Sequence, residues 1–206
     1  MKKRIKAIIF DLGNVLVDFD HMIAARKIAA FTDKDGGQMY RLFFDSELTG
    51  LFEEGKVSAE GFFKEVKRLL NLRISYEEFL PIWNEIFFLS KKNKDVYNIA
   101  KKLKSNYKTA LLSNVNILHF DYLKKNFPVF DAFDHIITSY KIGLRKPHPS
   151  IYRNALKLLK EPAGSVFYTD DRRDLIEKAN ALGIRGFWFE GVGKLKKDFI
   201  SVGIKI

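Results

Sequence analysis

Ile8-Ile9-Phe10-Asp11-Leu12-Gly13-Asn14-Val15-Leu16 is the stretch that decides the fold. Residues 5–10 form a near-continuous apolar run, the pattern of a strand buried on both faces of a parallel sheet. The run stops at a carboxylate, Asp11, and Gly13 follows two residues later. A polar group and a glycine directly after a buried strand lie at its carboxyl end, where open α/β sheets bind their ligands.

Beyond residue 95 the chain alternates between two hydrophobic periods. Helical patterns at 96–103, 117–127, 149–159 and 174–182 are interleaved with strand patterns at 109–113, 135–138, 166–169 and 186–189. This predicts an α/β fold, a Rossmann-like parallel sheet with helices on both faces and right-handed crossovers. Between the first strand and this region, 21–89 carries no convincing strand signal. Helices are expected at 21–31, 58–70 and from 76 through 87, the last behind the capping box Ser75-Tyr76-Glu77-Glu78, with a short one at 38–45. The expectation is a helical cap over 19–91 inserted into a core domain made of 1–18 and 92–206. Phe43, Phe44, Phe52, Phe62, Phe63, Trp83, Phe87 and Phe88 would form the cap core, and Ser90-Lys91-Lys92-Asn93-Lys94 reads as a charged linker.

The 206 residues are 47% hydrophobic and 30% charged, the balance of a globular chain with one well-buried core and an appendage. With no Cys there is no disulfide framework, thiolate metal site or Cys nucleophile. The basic start 1–4 precedes an apolar run too short for a signal peptide or membrane span, so a cytoplasmic location is expected. The net charge of +11 raises the question of a polyanionic partner. The lysines are spread along the chain, and no zinc-finger, helix-turn-helix or aromatic RNA-binding pattern accompanies them. The charge is then that of a Lys-rich surface on a small enzyme, which also attracts phosphorylated metabolites; no nucleic-acid and no membrane partner is expected, and a monomer or weak homodimer is.

Four predicted strands end in polar groups: Asp11; Ser113-Asn114; Gly143-Leu144-Arg145-Lys146-Pro147 in the loop after the third; and Asp170-Asp171. If the strands are parallel neighbours, these groups converge on one rim. Three carboxylates around one point need a cation among them, and oxygen ligands without His or Cys select Mg²⁺. Lys146 can pair with Asp11 and with phosphate oxygens, and Ser113 offers a hydroxyl beside backbone N–H donors. A carboxylate can also act as a covalent nucleophile toward phosphorus.

These segments, with Ala179-Asn180-Ala181-Leu182-Gly183-Ile184 after the fourth, resemble in order the four motifs of the haloacid dehalogenase superfamily. The insert resembles that family's helical cap, and Asp-Leu-Gly-Asn-Val resembles a bacterial group that includes α-glucose-1-phosphate phosphatases. The resemblance implies a Mg²⁺-dependent phosphatase working through an aspartyl-phosphate on Asp11, with a sugar phosphate such as a hexose 1-phosphate as substrate. It implies metal ligation by Asp11, the Gly13 carbonyl, Asp171 and Asp170. Phosphate would be bound by Gly13, Asn14, Ser113, Asn114 and Lys146, with Asp11, Ser113 and Lys146 catalytic.

Two positions depart from the family pattern. Gly13 stands where an acid–base Asp is usual, a loss worth on the order of 10²–10⁴ in rate. Asp18, Asp20 or a cap residue could substitute, a good leaving group could lessen the need, or the chain could be a weakened phosphate- and metal-binding module. Dehalogenation also needs no second Asp but uses no metal, which Asp170-Asp171 argue against. In the fourth motif, Leu175 replaces a polar residue and Asp174 stands beside it as a possible compensation. Arg172 and Arg173 are read as surface groups. The four His residues (His21, His119, His135, His148) lack ligand spacing and are read as structural or surface groups.

Overall fold

In the computed structural model the described residues are 4–44 and 46–205, without the side chain of Phe44. Outside them fall three of the four residues of the basic start, the last residue of the helix expected at 38–45, and one expected cap aromatic. The elements run β1 (Ala7–Phe10), β2 (Asp18–Phe19), α1 (His21–Ala29), α2 (Gly36–Phe44), α3 (Glu47–Glu53), α4 (Ala59–Leu70), α5 (Tyr76–Asn84) and β3 (Phe87–Phe88). They continue with α6 (Lys91–Leu103), β4 (Lys108–Ser113), α7 (Ile117–Asn126), β5 (His135–Thr138), α8 (Ser139–Ile142) and α9 (Pro149–Leu159). The chain closes with β6 (Val166–Asp170), α10 (Arg173–Ala181), β7 (Arg185–Trp188) and α11 (Val192–Ser201).

The main sheet has the order β5-β4-β1-β6-β7 and is parallel throughout. β1 is central, with Phe10 opposite Leu111 of β4 on one side and Thr169 of β6 on the other. The chain moves outward on one side and returns to fill the other, so the carboxyl end of β1 is a topological switch point. Alternate residues feed opposite faces. Ile8, Phe10, Leu111 and Phe167 enter one apolar cluster, while Ala7, Ile9, Leu112 and Tyr168 enter the other. Each fully buried large side chain contributes about 1.5–3 kcal/mol. A third cluster, built on Phe43, Phe52, Phe62, Phe79 and Trp83, holds the helices between β2 and β3 together.

Three local readings are corrected. Ser90–Lys94 is no linker: Ser90 caps α6, with Ser90 N–H donating to Asn93 Oδ1 at 2.8 Å and Asn93 N–H to Ser90 Oγ at 3.4 Å. Lys92 then donates to the Asn14 carbonyl (2.9 Å) and Asp18 (2.6 Å), and the buried Asn93 amide to the Val15 carbonyl (3.2 Å). The charges that look like a solvated tether brace the loop after β1. Second, the helix from 76 ends at Asn84, and Phe87–Phe88 pair antiparallel with Asp18–Phe19, so the region does contain a strand. Third, Phe87 consequently packs against the sheet's own apolar cluster and Phe88 is exposed, so neither joins the cap core. α3, α8 and α11 had no expected counterpart.

His119 of α7 ties the helical insert to the sheet domain. Its ring stacks on Trp83 (4.8 Å, 15°) and meets Phe87 edge-on at 5.0 Å. Asn116 Oδ1 accepts from the His119 backbone N–H (3.0 Å), which turns the Asn116 amide nitrogen toward Nδ1 at 3.1 Å. Nδ1 must therefore accept, leaving Nε2–H to donate to the Trp83 carbonyl at 3.0 Å. Burial pushes the His119 pKa down to about 3. The unfolded chain takes up this proton near pH 6.5 and the folded chain refuses it, so this contribution destabilises the fold as pH falls between those values. Relative to a His119→Gln variant, the wild type is expected to lose about 2 kcal/mol between pH 7.5 and pH 5. Denaturant melts of both proteins at the two pH values check this.

Candidate active site

Because β1, β4 and β6 are adjacent and parallel, Asp11, Ser113 and Asp170 emerge side by side. Asp11 continues the β1–β6 ladder, its N–H donating to the Thr169 carbonyl at 3.0 Å. Lys146 arrives from the loop after α8 and is buried, with only 3% of its surface exposed. Its ammonium donates to Asp11 Oδ1 (2.6 Å), Asp170 Oδ2 (2.7 Å) and the Leu112 carbonyl (3.1 Å). All three ammonium protons thus have acceptors. Tyr168 also donates to Asp170 Oδ2, and the Arg172 N–H donates to Oδ1 at 2.9 Å.

Electrostatics follow from this packing. Burial pushes the Asp11 carboxyl up to about 7; Lys146 opposes the shift, and the Asp170 and Asp171 charges add to it. Burial alone would lower the Lys146 pKa, but the two carboxylates outweigh it and hold the ammonium charged. Burial would raise Asp170 as well, yet Lys146 and the hydrogen bonds bring it below the usual carboxylate range. Asp171 is raised by burial, with the Asn14 bond opposing. Oxygens of Asp11, Asp170 and Asp171 lie within 4.8 Å of one another. One ammonium against three carboxylates leaves surplus negative charge, and the donors are all hard oxygens. That set fits a hard divalent cation of the Mg²⁺ type.

The remaining expected residues fall around this point. Asn14 adopts φ 55°, a left-handed conformation that Asn tolerates, and donates to Asp171 Oδ2 at 2.9 Å. Its side chain is spent on the carboxylate cluster. Asn114 lines the cleft, but its amide exchanges two bonds with the Lys146 backbone, at 2.8 and 2.9 Å. Ser113 is buried and lines the cleft beside Asp11. At Gly13 a Cβ would come within 2.7 Å of Phe19 Cε1. The Phe19 ring, set by β2 and packed on Phe87 and His21, occupies the space a side chain at position 13 would need.

Of the candidate substitutes for the missing acid, Asp18 and Asp20 do not line the cleft. Asp18 is turned to Lys92 and Asn93, and Asp20 caps α1 by accepting from Met22 N–H at 2.8 Å. Asp174 is exposed and paired with Arg172 at 2.6 Å, so it does not take over for Leu175. Arg173 lies over the Trp188 ring at 3.7 Å, a surface role.

Four residues at or around the site had no assigned role in the sequence. Tyr168 holds Asp170, and Phe19 fills the space at Gly13. Glu53 and Arg145 line both the cleft of about 490 Å³ over Asp11 and a chamber of about 220 Å³ beneath the helices. Arg145 stands inside the third motif and could have been singled out there. Glu53 lies in a stretch without any such signal.

Residues 5–183 match the model of the haloacid dehalogenase-like hydrolase family, and the chain belongs to that family. It is 27% identical over 189 residues to a D-ribitol-5-phosphate phosphatase of Bacteroides thetaiotaomicron, covering 89% of this chain and 91% of that one. It is 28% identical over 203 residues to a glyceraldehyde 3-phosphate phosphatase of Pyrococcus furiosus, covering 91% and 82%. A crystal structure of a family enzyme from B. thetaiotaomicron, in complex with magnesium and inorganic phosphate, superposes with a TM-score of 0.79 at 24% identity, covering 89% and 93%. Among the described residues no helix is long and apolar enough to cross a membrane.

Replacing Lys146 by Met would leave Asp11 and Asp170 facing each other without their shared cation. The expected cost is about 3–5 kcal/mol of folding stability, read by denaturant unfolding at pH 7.5.

Proposed function

We propose that this chain is a Mg²⁺-dependent phosphomonoesterase acting on a small hydroxylated metabolite, a sugar or polyol phosphate, with hexose 1-phosphates in the range. The observation that carries this reading is the Lys146 ammonium held between Asp11 and Asp170, beside Asp171, at the joined carboxyl ends of β1, β4 and β6. In this reading Asp11, Asp170, Asp171 and the Gly13 carbonyl hold the metal. When bound, Mg²⁺ supplies positive charge that neutralises the phosphoryl oxygens and the surplus of the carboxylates.

The rest of the chemistry belongs to the chain. The phosphoryl group lies in the cleft over Asp11, with the Ser113 hydroxyl and the Lys146 ammonium as its donors and Asn14 and Asn114 shaping the loops on either side. A carboxylate oxygen of Asp11 attacks phosphorus and forms an aspartyl-phosphate, which water then hydrolyses. Lys146 holds Asp11 in position throughout and balances charge as it moves between carboxylate and phosphoryl oxygens.

The substrate class is argued from the chamber. Its volume is below the ~300 Å³ at which drug-sized sites begin, which suits a small leaving group. Glu47, Thr49, Asn116 and Arg145 line it with hydrogen-bonding groups that suit a hydroxyl-rich molecule. Relatives named for ribitol 5-phosphate and glyceraldehyde 3-phosphate agree in chemical type. Residues 19–91 would then serve as a cap that closes over the leaving group, on a core of 1–18 and 92–206.

Phosphate release from a panel of sugar and polyol phosphates, with and without Mg²⁺, tests this. Metal-dependent turnover is expected, with a loss on the order of 10³ or more in Asp11→Asn. Turnover equal in wild type and D11N, or halide release from haloacids without metal, would overturn it.

A further inference from the structure

The missing side chain at Gly13 leaves the leaving-group oxygen without a proton donor, and among the described residues the structure offers one candidate. Resting on the phosphomonoesterase reading above, we propose that Glu53, from the helical insert, is the catalytic acid and base of this enzyme.

Position comes first. Glu53 is the last residue of α3 and lines the cleft over Asp11, the small cavity beside Gly13, Phe19 and Ser113, and the chamber. A phosphate ester with its phosphoryl group at Asp11 and its organic part in the chamber must pass this junction, so its bridging oxygen lies beside Glu53. Arg145 is the other residue common to cleft and chamber, and a guanidinium does not release its proton. His21 lies on the chamber side, but burial pushes its pKa down to about 4, so it is neutral at pH 7.

Glu53 is also fixed in place. The Ser139 hydroxyl donates to the Glu53 carbonyl at 2.6 Å, tying the end of α3 to the sheet domain. Gly55, at φ 66°, lets the following loop close on the Tyr140 carbonyl, which a Cβ would meet at 2.4 Å. Gly50 leaves room for the Arg145 guanidinium, which a Cβ there would meet at 2.6 Å, and Arg145 Nη1 lies 3.4 Å from Glu53 Oε2. The carboxyl is thus oriented by Arg145, a residue of the loop after α8, rather than free to swing with the insert. Burial raises its pKa, with Arg145 opposing, which favours a group able to carry a proton.

The proton balance is closed. In the first half-reaction Asp11 forms its bond to phosphorus, the bond from phosphorus to the leaving oxygen breaks, and the Glu53 proton passes to that oxygen. In the second, the Glu53 carboxylate takes a proton from water as its oxygen attacks phosphorus. The Asp11–phosphorus bond breaks, phosphate departs and Glu53 is again protonated.

The test compares Glu53→Gln with wild type on two substrates, p-nitrophenyl phosphate and an alkyl phosphate such as a polyol phosphate, by rapid quench with Mg²⁺. The nitrophenolate leaving group needs no proton. E53Q is therefore expected to keep a p-nitrophenol burst near the wild-type rate, accumulate acid-stable phosphoenzyme, and turn over 10²–10³-fold more slowly. On the alkyl ester, phosphoenzyme formation itself is expected to fall by a similar factor. An unchanged thermal melt guards against misfolding, and Glu53→Asp is expected to recover part of the loss. Turnover of E53Q within threefold of wild type, or equal slowing of phosphoenzyme formation on both esters, overturns the assignment while leaving the phosphomonoesterase reading intact. If the wild type forms no phosphoenzyme on Asp11, both fall.

Discussion

The site depends on one buried ammonium. Lys146 lies between Asp11 and Asp170, and nearly everything around it serves to keep that arrangement tolerable. Three buried charges are costly unless every donor and acceptor is met. Here the Leu112 carbonyl takes the third ammonium proton, Tyr168 and the Arg172 N–H hold Asp170, and Asn114 pins the Lys146 backbone through two bonds. The sheet order supplies the rest, since only a β1 flanked directly by β4 and β6 brings these side chains to one point. The arrangement leaves Asp171 and one side of Asp11 with unbalanced charge. In the proposed reading, it is over Asp11 that a cation and an anion would meet.

Much of this was legible in the sequence because it is repetitive and local. A buried strand ending in a polar group is visible at Asp11, Ser113 and Asp170, and the capping box at Ser75 marks its helix with both predicted bonds present. Illegible features came from long-range contacts. Ser90–Lys94 looks like a solvated tether because its lysines are polar, whereas Asn93 is buried by contacts with residues more than seventy positions away. Phe87–Phe88 extend the helical periodicity of α5, and only the pairing with Asp18–Phe19 makes them a strand. Asn14 and Asn114 stand in the right motifs, yet their amides are committed to Asp171 and Lys146. No spacing rule points to Glu53, because its place depends on how α3 meets Ser139 and Arg145.

The insert is therefore not attached to the sheet domain only through its two connecting strands. Its first part is fastened beside the site at Ser139 and Tyr140, and its last helix is fastened at His119 through Trp83. These attachments flank the chamber, so its walls belong partly to each side. Side chains that would recognise a leaving group, such as Glu47, Thr49 and Asn116, are thereby held in register with the strand ends that would bind phosphate.

The contact between Gly13 and the Phe19 ring couples the two positions. An aspartate introduced at position 13 would arrive where an aromatic ring already stands. The ring must shift to admit it, so a Gly13→Asp change is expected to be easier to accommodate when a smaller residue also stands at 19. Phe19 in turn is committed to Phe87 across the strand pair, so the second change would loosen the joint between insert and sheet domain.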